Sequence, residues 1–470
     1  MTNYDVVIIG AGAAGLAAAT ELARRGKSAV ILEARDRIGG RVWSLEVPGL
    51  PVPVELGAEF IHGRPTATLE RMRRAGIAAV DAPVVRRAMV NGKLEPRGDG
   101  LYAEVQRALR RHAGALRRKD VSFDSFLARA RHGLSAETQV FARMRVQGYD
   151  AANPARASAR AIAEEWSAEA AASGGHFRVQ GGYGALLAAM ARGLQGSQVE
   201  LRLQSVVRAV RWKRGTVEVE GTCPKDEGGG MRDEGSDTAR RSPPVGGGVA
   251  HEVRRGGGGN FLVTARRAIV TLPLGVLKAP ARAPGAVRFT PPLDDKRAAL
   301  AGLASGTVIK AALLFRTAFW EQLDNGRCRG VSFFHSPPSR FPTFWTALPE
   351  PVPLLIAWAG GPNADRLAKA ATPAIVREAV ASLASILSLR TGVEEHLAAA
   401  WVHHWQQDPF ARGAYSYATV GGHGARRALA RPLHDTLFFA GEAADNEGEH
   451  GTVAGALQSG ERAAREAAGV

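Results

Sequence analysis

The amino-terminal part of the chain alternates apolar runs with a glycine-rich turn and a helical stretch. Residues 4–9 form a short β-branched apolar run, which predicts a strand that stops at Gly10. The Ala-rich stretch 16–25 predicts a helix, and residues 28–32 are again typical of a strand. This order predicts a unit of strand, glycine turn, helix and strand, which ends at the acidic residue Glu33.

The rest of the chain divides into a helical region, a hairpin region and a later strand. Residues 65–172 predict mostly helices, because amphipathic segments such as L-Y-A-E-V-Q-R-A-L-R-R recur there. Residues 199–220 follow a period of two and predict hairpin strands. Residues 221–260 are rich in Gly, Ser, Pro and charge, and so predict a disordered insertion in the hairpin loop. A strand is predicted at 307–315, with Lys310 among apolar neighbours.

The composition is that of a folded globular chain and gives no strong reason to expect a polyanionic partner. Of the 470 residues, 45% are hydrophobic and 23% are charged, as in ordinary globular proteins. The length suggests two or three domains. The net charge of +16 is compatible with nucleic acid, anionic lipid or no specific partner. We favour the last, because the excess is spread over Arg- and Ala-rich helical stretches, and expect no nucleic-acid and no membrane partner.

The sequence shows no sign of a metal site or a targeting segment. Two cysteines, Cys223 and Cys328, are too few for a disulfide framework or a zinc site, so no metal is expected. The first apolar stretch has no basic leading region and is interrupted by glycines, unlike a signal peptide. No run reaches the roughly 20 apolar residues of a membrane span. These features predict a cytoplasmic location, and no oligomeric state is predicted.

Three glycines mark the turn between the first predicted strand and helix. Gly10, Gly12 and Gly15 spell G-A-G-A-A-G. The first allows the turn, the second lets backbone amides approach a pyrophosphate, and the third lets helix and strand pack closely. The helix N-terminus directs its positive end at the phosphates, and Glu33 is suited to ribose hydroxyls. The motif in this context predicts a dinucleotide site without choosing between NAD and FAD.

The next segment, A-R-D-R-I-G-G-R, adds a second pair of glycines. Gly39 and Gly40 imply another close approach of the backbone to a ligand, and Arg41 can pair with a phosphate. A loop with a structural arginine is the alternative. With this segment the sequence resembles the flavin-containing amine oxidase family, which includes monoamine oxidases, polyamine oxidases and histone demethylases. Its motifs are most similar to those of polyamine-oxidase-like members, and the resemblance implies FAD as the cofactor.

The resemblance covers almost the whole chain. V-E-L-G-A-E-F-I-H-G, with Gly57 and Ala58, is similar to the family segment that passes the flavin ring, and V-T-L-P-L-G-V-L-K to a strand and turn near it. The most specific match is F-F-A-G-E-A-A-D-N-E-G-E-H-G-T-V-A-G-A-L-Q-S-G-E-R-A-A. There Thr452 and Val453 offer helix N-terminal amides, which would stabilise the negative charge of a reduced flavin. An ordinary capped helix is the alternative.

Lys310 is unusual because a lysine within an apolar strand buries a charge. One interpretation is a lysine whose stem is buried and whose ammonium reaches solvent at the strand end. In the family, the matching lysine holds a water beside the reactive flavin nitrogen and assists reoxidation by oxygen. The resemblance implies that role for Lys310.

Trp405 and Tyr415 resemble the family's aromatic wall beside the flavin. Monoamine oxidases carry a cysteine just before that tyrosine, which tethers the flavin; Ala414 stands here, so the resemblance implies non-covalent FAD. Thr452 matches the place of a second tyrosine, as in polyamine oxidases and histone demethylases of the family. His62 resembles a substrate-channel histidine of animal-type polyamine oxidases, although a lone histidine in a turn is often a surface residue.

Four acidic residues precede the last predicted helix, namely Glu442, Asp445, Glu447 and Glu449. The resemblance places them close to the flavin, where they would attract a cationic polyamine. Acidic residues before a helix are also common caps, and both interpretations stay open.

Together these features predict an α/β (mixed α+β) fold, with a discontinuous Rossmann-like FAD-binding domain and a second, substrate-binding domain. The FAD-binding domain is predicted from residues 1–64, 176–275 and 400–470, and the substrate-binding domain from 65–175 and 276–399. The predicted catalytic residues are Lys310, Tyr415, Thr452 and His62. The predicted cofactor-binding residues are Gly10, Gly12, Ala14, Gly15, Glu33, Ala34, Arg35, Gly40, Arg41, Gly57, Ala58, Val207, Trp405, Gly441, Glu442, Thr452 and Val453.

The expected reaction is oxidation of a primary or secondary amine, either a polyamine or a monoamine, to an imine that hydrolyses to an aldehyde and an amine. Oxygen would become hydrogen peroxide. An L-amino acid oxidase is expected to have an arginine near G-A-E-F, where Phe60 and Ile61 stand. A histone demethylase needs a long helical arm, for which the insertion is too short and too rich in glycine. A flavin dehydrogenase or desaturase that passes electrons to a partner shares the fold, and Lys310 argues against it.

Overall fold

The structure is a computed structural model. It describes the following parts of the chain: residues 3–98, 100–129, 133–171, 175–223 and 259–469. The strands, numbered in chain order, are β1 (Asn3–Ile9), β2 (Ala29–Leu32), β3 (Ser44–Leu45), β4 (Val54–Glu55), β5 (Phe60–His62), β6 (Ala79–Asp81), β7 (Arg86–Val90), β8 (Lys93–Arg97), β9 (His176–Val179), β10 (Val199–Arg202), β11 (Val206–Lys213), β12 (Thr216–Cys223), β13 (Gly259–Val270), β14 (Arg288–Thr290), β15 (Leu303–Ser305), β16 (Val308–Phe315), β17 (Phe333–His335), β18 (Thr343–Thr346), β19 (Leu354–Gly360), β20 (Leu397–His404), β21 (Ser416–Ala418) and β22 (Leu437–Phe439).

The α-helices are numbered in the same way. They are α1 (Ala13–Arg24), α2 (Thr66–Arg74), α3 (Gly100–Arg118), α4 (Phe123–Leu127), α5 (Ala136–Gly148), α6 (Ala159–Ala171), α7 (Gly182–Arg192), α8 (Leu274–Leu277), α9 (Arg297–Ala301), α10 (Pro362–Leu367), α11 (Thr372–Ile386), α12 (Val393–His396), α13 (Ala425–Ala430) and α14 (Val453–Ala468).

An eight-stranded sheet carries the predicted strand, turn, helix and strand unit. Its order is β10-β2-β1-β13-β12-β11-β14, and β22 also pairs with β13. Strands β10, β2, β1, β13 and β22 are parallel, whereas β12 is antiparallel to both β11 and β13. Residues 6–9 and 29–32 are buried apolar runs, as central parallel strands covered on both faces require. The predicted unit and the α/β fold class are confirmed.

Helices α1 and α14 cover one face of this sheet and approach each other and the first turn very closely. A Cβ on Gly15 would lie 1.9 Å from the carbonyl oxygen of Gly10. A Cβ on Gly460 would lie 2.1 Å from the carbonyl oxygen of Ala14. Because no larger residue fits at either position, α1 is fixed against both the turn and α14.

A seven-stranded sheet forms a second layer, in the order β20-β16-β19-β18-β17-β7-β8. Neighbouring strands are antiparallel, except that β17 is parallel to β7. One face packs on α10 and α11 through a core that includes Ile309 and Leu383. Lys310 lies opposite Trp358 and His403 in the register, so these three residues share the other face of the sheet.

Helices α3 to α6 form a third layer with a core of its own, which includes Val105, Phe123, Val146 and Trp166. The structure also contains a small sheet of order β5-β9-β6. Its strand β5 is part of the G-A-E-F-I-H-G segment. Within the described parts, no helix is long and apolar enough to cross a membrane.

One expectation about local structure is confirmed and one is wrong in part. Residues 65–172 are mostly helical, in α2 to α6, although the short strands β6, β7 and β8 also lie among them. Strand β7 is held by β8 and by β17, which is distant in sequence and so not detectable from local periodicity. Residues 199–202 are not a hairpin strand, because β10 runs parallel to β2 and the hairpin consists of β11 and β12.

The insertion predicted at 221–260 begins and ends within a β-ladder. Gly221 pairs with Phe261 and Cys223 with Gly259, so its first and last residues are strand residues. Its other residues lie outside the described parts. The domain division stays a prediction. Strand β14 pairs with β11 and β20 pairs with β16, so each joins a sheet on the other side of a predicted boundary.

We expect Gly15→Ala to destabilise the protein, because the new methyl group overlaps the Gly10 carbonyl oxygen and α1 is held from its other side by α14. Overpacking of this kind costs about 1–3 kcal/mol, occasionally more. Gly114→Ala is a matched control, since its Cβ meets only Arg118 Nη1, at 3.8 Å, on the same helix. There alanine should be neutral or stabilising by up to about 1 kcal/mol. Urea unfolding compares the two, and equal midpoints would contradict the packing role of Gly15.

Candidate functional site

A cavity of about 870 Å³ is lined by residues of both large sheets, the small sheet and the helical layer. All predicted site residues except Gly15 line it, namely Gly10, Gly12, Ala14, Glu33, Ala34, Arg35, Gly40, Arg41, Gly57, Ala58, His62, Val207, Lys310, Trp405, Tyr415, Gly441, Glu442, Thr452 and Val453. Gly15 lies behind the turn, where it packs α1 against the Gly10 carbonyl.

Glu33, at the end of β2, holds the first glycine turn. Its Oε2 accepts a hydrogen bond from the Ala11 amide at 2.8 Å, and its Oε1 accepts one from the Arg35 amide at 2.9 Å. The Gly39 amide donates to the Ala11 carbonyl oxygen at 2.9 Å, which ties the second glycine pair to the turn. A carboxylate has about four acceptor positions, so Glu33 retains capacity for ribose hydroxyls.

Two arginines of the A-R-D-R-I-G-G-R segment form long-range ion pairs. Arg35 Nη2 lies 2.8 Å from both carboxylate oxygens of Asp408. Arg41 Nη1 lies 2.8 Å from Glu442 Oε1. Burial alone would raise the pKa of Glu442, but Arg41 and Arg426 hold it below its usual value. The sequence predicts a phosphate partner for Arg41. In the structure its ion pair with Glu442 connects the carboxyl-terminal loop to the glycine segment.

The start of α14 is a capped helix N-terminus that borders the cavity. Thr452 Oγ1 accepts a hydrogen bond from the Gly455 amide at 3.1 Å and donates to the Glu449 carbonyl oxygen at 2.6 Å. Thr452 and Val453 both line the cavity. The positive end of this helix therefore faces the same space as the glycine turn. Capping and the presentation of amides to a ligand are both possible here, so the two interpretations of this segment are compatible.

Aromatic side chains form much of the cavity wall. Trp405 is buried and donates from Nε1 to the Leu56 carbonyl oxygen at 3.0 Å. Tyr415 donates its hydroxyl to the Tyr149 carbonyl oxygen at 2.6 Å. Burial raises the pKa of Tyr415 well above its usual value, so its hydroxyl is neutral at pH 7. These contacts fix both rings as rigid walls.

Lys310 is buried, and its interpretation as a lysine that reaches solvent at the strand end is wrong. Its side chain is 1% exposed. Its Nζ donates to Glu59 Oε2 at 2.7 Å and to the Gly57 carbonyl oxygen at 3.1 Å. Trp345 Nε1 donates to the same Glu59 oxygen at 3.0 Å, and Arg178 pairs with the other one. The ammonium is therefore held inside the cavity wall.

Glu59 and Arg178 are site residues that the sequence reasoning missed. A buried lysine implies a nearby carboxylate, and the acid in L-G-A-E-F-I-H-G was the available signal. The pairing joins residues 251 positions apart, so spacing along the chain could not reveal it. Arg178 lies on β9 directly opposite Phe60. An arginine does lie beside G-A-E-F, so the argument against an amino acid oxidase from Phe60 and Ile61 was incomplete.

His62 is paired with a second histidine, His176, which the sequence reasoning also missed. Their Nδ1 atoms are 2.9 Å apart, so one ring donates and the other accepts. Burial, with contributions from His176 and Arg145, lowers the pKa of His62 to about 3. The imidazole is neutral at pH 7. It lines the cavity with its ring 5.2 Å from that of Tyr149.

The four acidic residues before α14 divide into two pairs. Glu442 is bound by Arg41, and Asp445 Oδ2 accepts the backbone amide of Glu449 at 2.8 Å, so both stabilise the loop. Glu447 and Glu449 line the cavity. Burial, reinforced by Asp445, raises the pKa of Glu449. Among the described residues, no cluster of His, Cys, Asp and Glu is arranged to hold a metal ion.

Comparison with known proteins identifies the family. The model of the flavin containing amine oxidoreductases matches residues 13–468. The chain belongs to this family. Its members contain flavin, so the cofactor is FAD. The cavity fits that group, because a Cβ on Gly12 would meet nothing closer than the Gly39 carbonyl oxygen at 3.7 Å, which leaves a gap for a pyrophosphate at the N-terminus of α1.

Curated relatives of this amine oxidoreductase include oxidases and demethylases. Polyamine oxidase 3 of Oryza sativa subsp. japonica is 28% identical, over 98% of this chain and 88% of that protein. Lysine-specific histone demethylase 1 homolog 3 of Arabidopsis thaliana is 27% identical, over 98% of this chain and 29% of that protein. The chain spans 53% of lysine-specific histone demethylase 2 of Homo sapiens.

Solved structures share the fold of this amine oxidoreductase over its full length. Putrescine oxidase bound to putrescine has a TM-score of 0.77 and 21% identity, with 100% of both chains covered. Cyclohexylamine oxidase from Brevibacterium oxydans IH-35A has a TM-score of 0.74 and 20% identity, with 100% of this chain and 99% of that chain covered. At these identities the likeness concerns the fold.

We expect Gly12→Val to fold but to lose FAD. Gly12 has φ −76°, which any residue adopts, and the polypeptide leaves room for its Cβ, so the side chain would collide chiefly with the pyrophosphate. The flavin-to-protein absorbance ratio after purification measures the loss, and circular dichroism of the same sample verifies folding. A normal flavin ratio would show that the phosphates bind elsewhere.

Proposed function

We propose that the protein is an FAD-dependent amine oxidase that converts a primary or secondary amine to an imine, which hydrolyses to an aldehyde and an amine. Two electrons and one proton leave the C–H bond of the substrate, a second proton leaves its nitrogen, and oxygen takes up the two electrons and both protons to become hydrogen peroxide. Bound FAD supplies this two-electron redox chemistry. The observation that carries the proposal is the buried ammonium of Lys310, which lines the same cavity as the glycine turn.

The side chains of the cavity bind, orient and hold charge. Trp405 and Tyr415 form rigid apolar walls that orient an alkyl amine and exclude water. His62 is neutral at pH 7, so it is able to form a hydrogen bond with the amine without electrostatic repulsion. Lys310 holds a positive charge where oxygen acquires electrons, and a fixed charge stabilises the negative charge that develops there. Hydride-equivalent transfer to FAD requires no separate side-chain base.

The acidic residues at the cavity favour a substrate with more than one ammonium group. Glu447 and Glu449 line the cavity, and carboxylates there attract a cation and bind its far end. Relatives named polyamine oxidases and a structural neighbour named putrescine oxidase support this choice. A diamine or polyamine is therefore the favoured substrate class, with a monoamine as the alternative.

A dehydrogenase or desaturase that passes electrons to a partner is the rival function on the same fold. The contacts of Lys310 favour the oxidase, because the chain keeps an ammonium buried in the cavity at the cost of desolvating it. FAD is proposed to be bound non-covalently. Ala414 lines the cavity where a tethering cysteine would stand, and the two buried cysteines, Cys223 and Cys328, do not line it. The cytoplasmic location stays part of the proposal.

The direct test is to purify the protein and to supply amines under air. We expect a yellow protein that releases its FAD into the supernatant on acid precipitation and that forms hydrogen peroxide with a diamine or polyamine. Cadaverine and pentylamine form a matched pair that differ by one ammonium group. Flavin that stays with the precipitate would contradict non-covalent binding. Flavin that is reduced by an amine but not reoxidised by oxygen would favour the dehydrogenase.

Lys310→Met separates the oxidase from its rival. The substitution keeps the apolar stem and removes the charge, so reduction by a good amine without oxygen should be less affected than reoxidation. We expect reoxidation to fall by one or more orders of magnitude, which is about 1.4 kcal/mol per tenfold. Stopped-flow mixing of the reduced variant with oxygen measures the rate. A rate equal to that of the unmodified protein would remove the support that Lys310 gives to the oxidase.

A further inference from the structure

We propose that Glu59 is a positioning residue for Lys310: its buried carboxylate, shared with Arg178, keeps the lysine ammonium charged and directs its remaining N–H into the cavity. The inference rests on the proposed function, because it assigns to Glu59 the control of the charge that the oxidase is proposed to use. It concerns residues of this chain alone and is carried by the geometry of the three side chains.

The three charged groups come from separate elements and meet at one carboxylate. Lys310 lies on β16, Arg178 on β9, and Glu59 immediately before β5. One oxygen of Glu59 accepts from Lys310 Nζ at 2.7 Å and from Trp345 Nε1 at 3.0 Å. The other oxygen pairs with Arg178, whose guanidinium also donates to the Thr346 carbonyl oxygen at 2.8 Å. The carboxylate is thus bound by charged or polar donors at both oxygens.

The hydrogen bonds of Lys310 define the direction of its free donor. An ammonium has three N–H groups. Two are used by protein acceptors, Glu59 Oε2 and the Gly57 carbonyl oxygen. Nζ also lies 5.4 Å from the centre of the Trp345 ring. Because Lys310 lines the cavity, the third N–H is available for a group in the cavity, such as a water or a reacting oxygen.

The charge balance explains why Glu59 matters for protonation. Lys310 is 1% exposed and Glu59 8% exposed, so both charges have lost most of their hydration. With Glu59 present, one negative charge lies between two positive charges. Without it, two buried cations would lose the one carboxylate that contacts them both, and the lysine, unlike arginine, is able to shed its proton. We therefore expect Lys310 to lose its proton more readily when Glu59 is replaced by a neutral residue.

Glu59 itself is poorly suited to other roles in the cavity. Burial alone would raise its pKa, but Lys310 and Arg178 outweigh that effect and lower the pKa to about 2. A carboxylate that remains ionised at all working pH values and is occupied at both oxygens is a weak general base. Its role is to hold the charge of its partners.

Other ionisable groups near Lys310 differ in kind from Glu59. From β4, Glu55 is buried and its pKa is raised by burial to about 7. Glu55 accepts from Ser44 Oγ and the Tyr183 amide, not from Lys310. From β20, His403 lies opposite Lys310 in the register and contacts Asp408 at 3.3 Å. Because the charge of Lys310 lowers the pKa of Glu55 and that of Glu59 raises it, all proteins compared below also carry Glu55→Gln.

The first experiment is the pH profile of reoxidation by oxygen for Glu59→Gln, with Arg178→Gln as the matched control. The amide keeps the shape and removes the charge. In the protein with Glu55→Gln alone and in Arg178→Gln, the Glu59–Lys310 pair is intact, and we expect no fall that reflects loss of the lysine charge between pH 6 and 9. In Glu59→Gln, the rate should fall by about tenfold per pH unit once Lys310 loses its proton, down to the level of Lys310→Met.

The second experiment reads the protonation of Lys310 without catalysis. A lysine that loses its proton more easily in the folded than in the unfolded state makes the folded protein less stable as the pH falls. Urea unfolding of the flavin-loaded protein should therefore show Glu59→Gln gaining stability toward pH 10 relative to Glu59→Gln/Lys310→Met. The protein with Glu55→Gln alone, compared with Lys310→Met, should not show this gain.

The outcomes separate the inference from the function on which it rests. Absence of the stability gain in Glu59→Gln, or the same pH profile in Arg178→Gln, would overturn the role of Glu59. A stability gain with an unchanged reoxidation profile would support the control of Lys310 by Glu59 and contradict the proposed use of its charge. If Glu59→Gln does not fold, Glu59→Asp keeps the charge and should preserve the level profile at a lower rate, whereas a falling profile would overturn the inference.

Discussion

A positive charge buried between two sheets has to be balanced by a carboxylate at contact distance, and this constraint organises the centre of the molecule. Lys310 on β16 and Arg178 on β9 both meet Glu59. The segment before Glu59 is itself locked, because a Cβ on Gly57 would lie 2.0 Å from the Arg41 carbonyl oxygen. The ion pairs therefore join the second sheet to the backbone that follows the glycine turn, and removal of Glu59 would leave two buried cations without their shared carboxylate, which costs several kcal/mol.

The same principle fixes the other side of the cavity. Arg35 binds Asp408, and Arg41 binds Glu442, across 373 and 401 residues of chain respectively. Each pair brings the carboxyl-terminal part of the chain onto the A-R-D-R-I-G-G-R segment. Because both pairs are largely removed from solvent, their attraction is weakly screened by salt. The helix N-terminus at Thr452 is thereby held opposite the glycine turn, and both present backbone amides to the same space.

The polarity of the cavity follows from these fixed groups. Positive ends of α1 and α14 face it, Lys310 adds a full charge, and neutral aromatic rings fill much of the remaining wall. His62 is kept neutral by burial beside His176 and Arg145. Such an arrangement favours negative charge where the cofactor binds and leaves the acidic residues Glu447 and Glu449 as the attraction for a cation. Under the proposed function, the cofactor and a cationic amine would therefore be bound by different parts of one cavity.

The sequence by itself determined the local units: the strand, turn, helix and strand around Gly10, the helix after Thr452, and the strand that carries Lys310. These follow from periodicity, glycine placement and capping, which act over a few residues. Resemblance of the motifs also named the family, and all but one of the predicted site residues line the cavity.

The tertiary structure alone decided the partners. Only folding showed that Lys310 is paired with Glu59, that His62 meets His176, that Arg41 binds Glu442, and that β7 is a strand beside β17. The physical reason is that the contacts of buried charges and of paired strands join residues tens to hundreds of positions apart. Such contacts are stabilised by charge pairing and hydrogen bonding in three dimensions, and they leave no regular spacing along the chain.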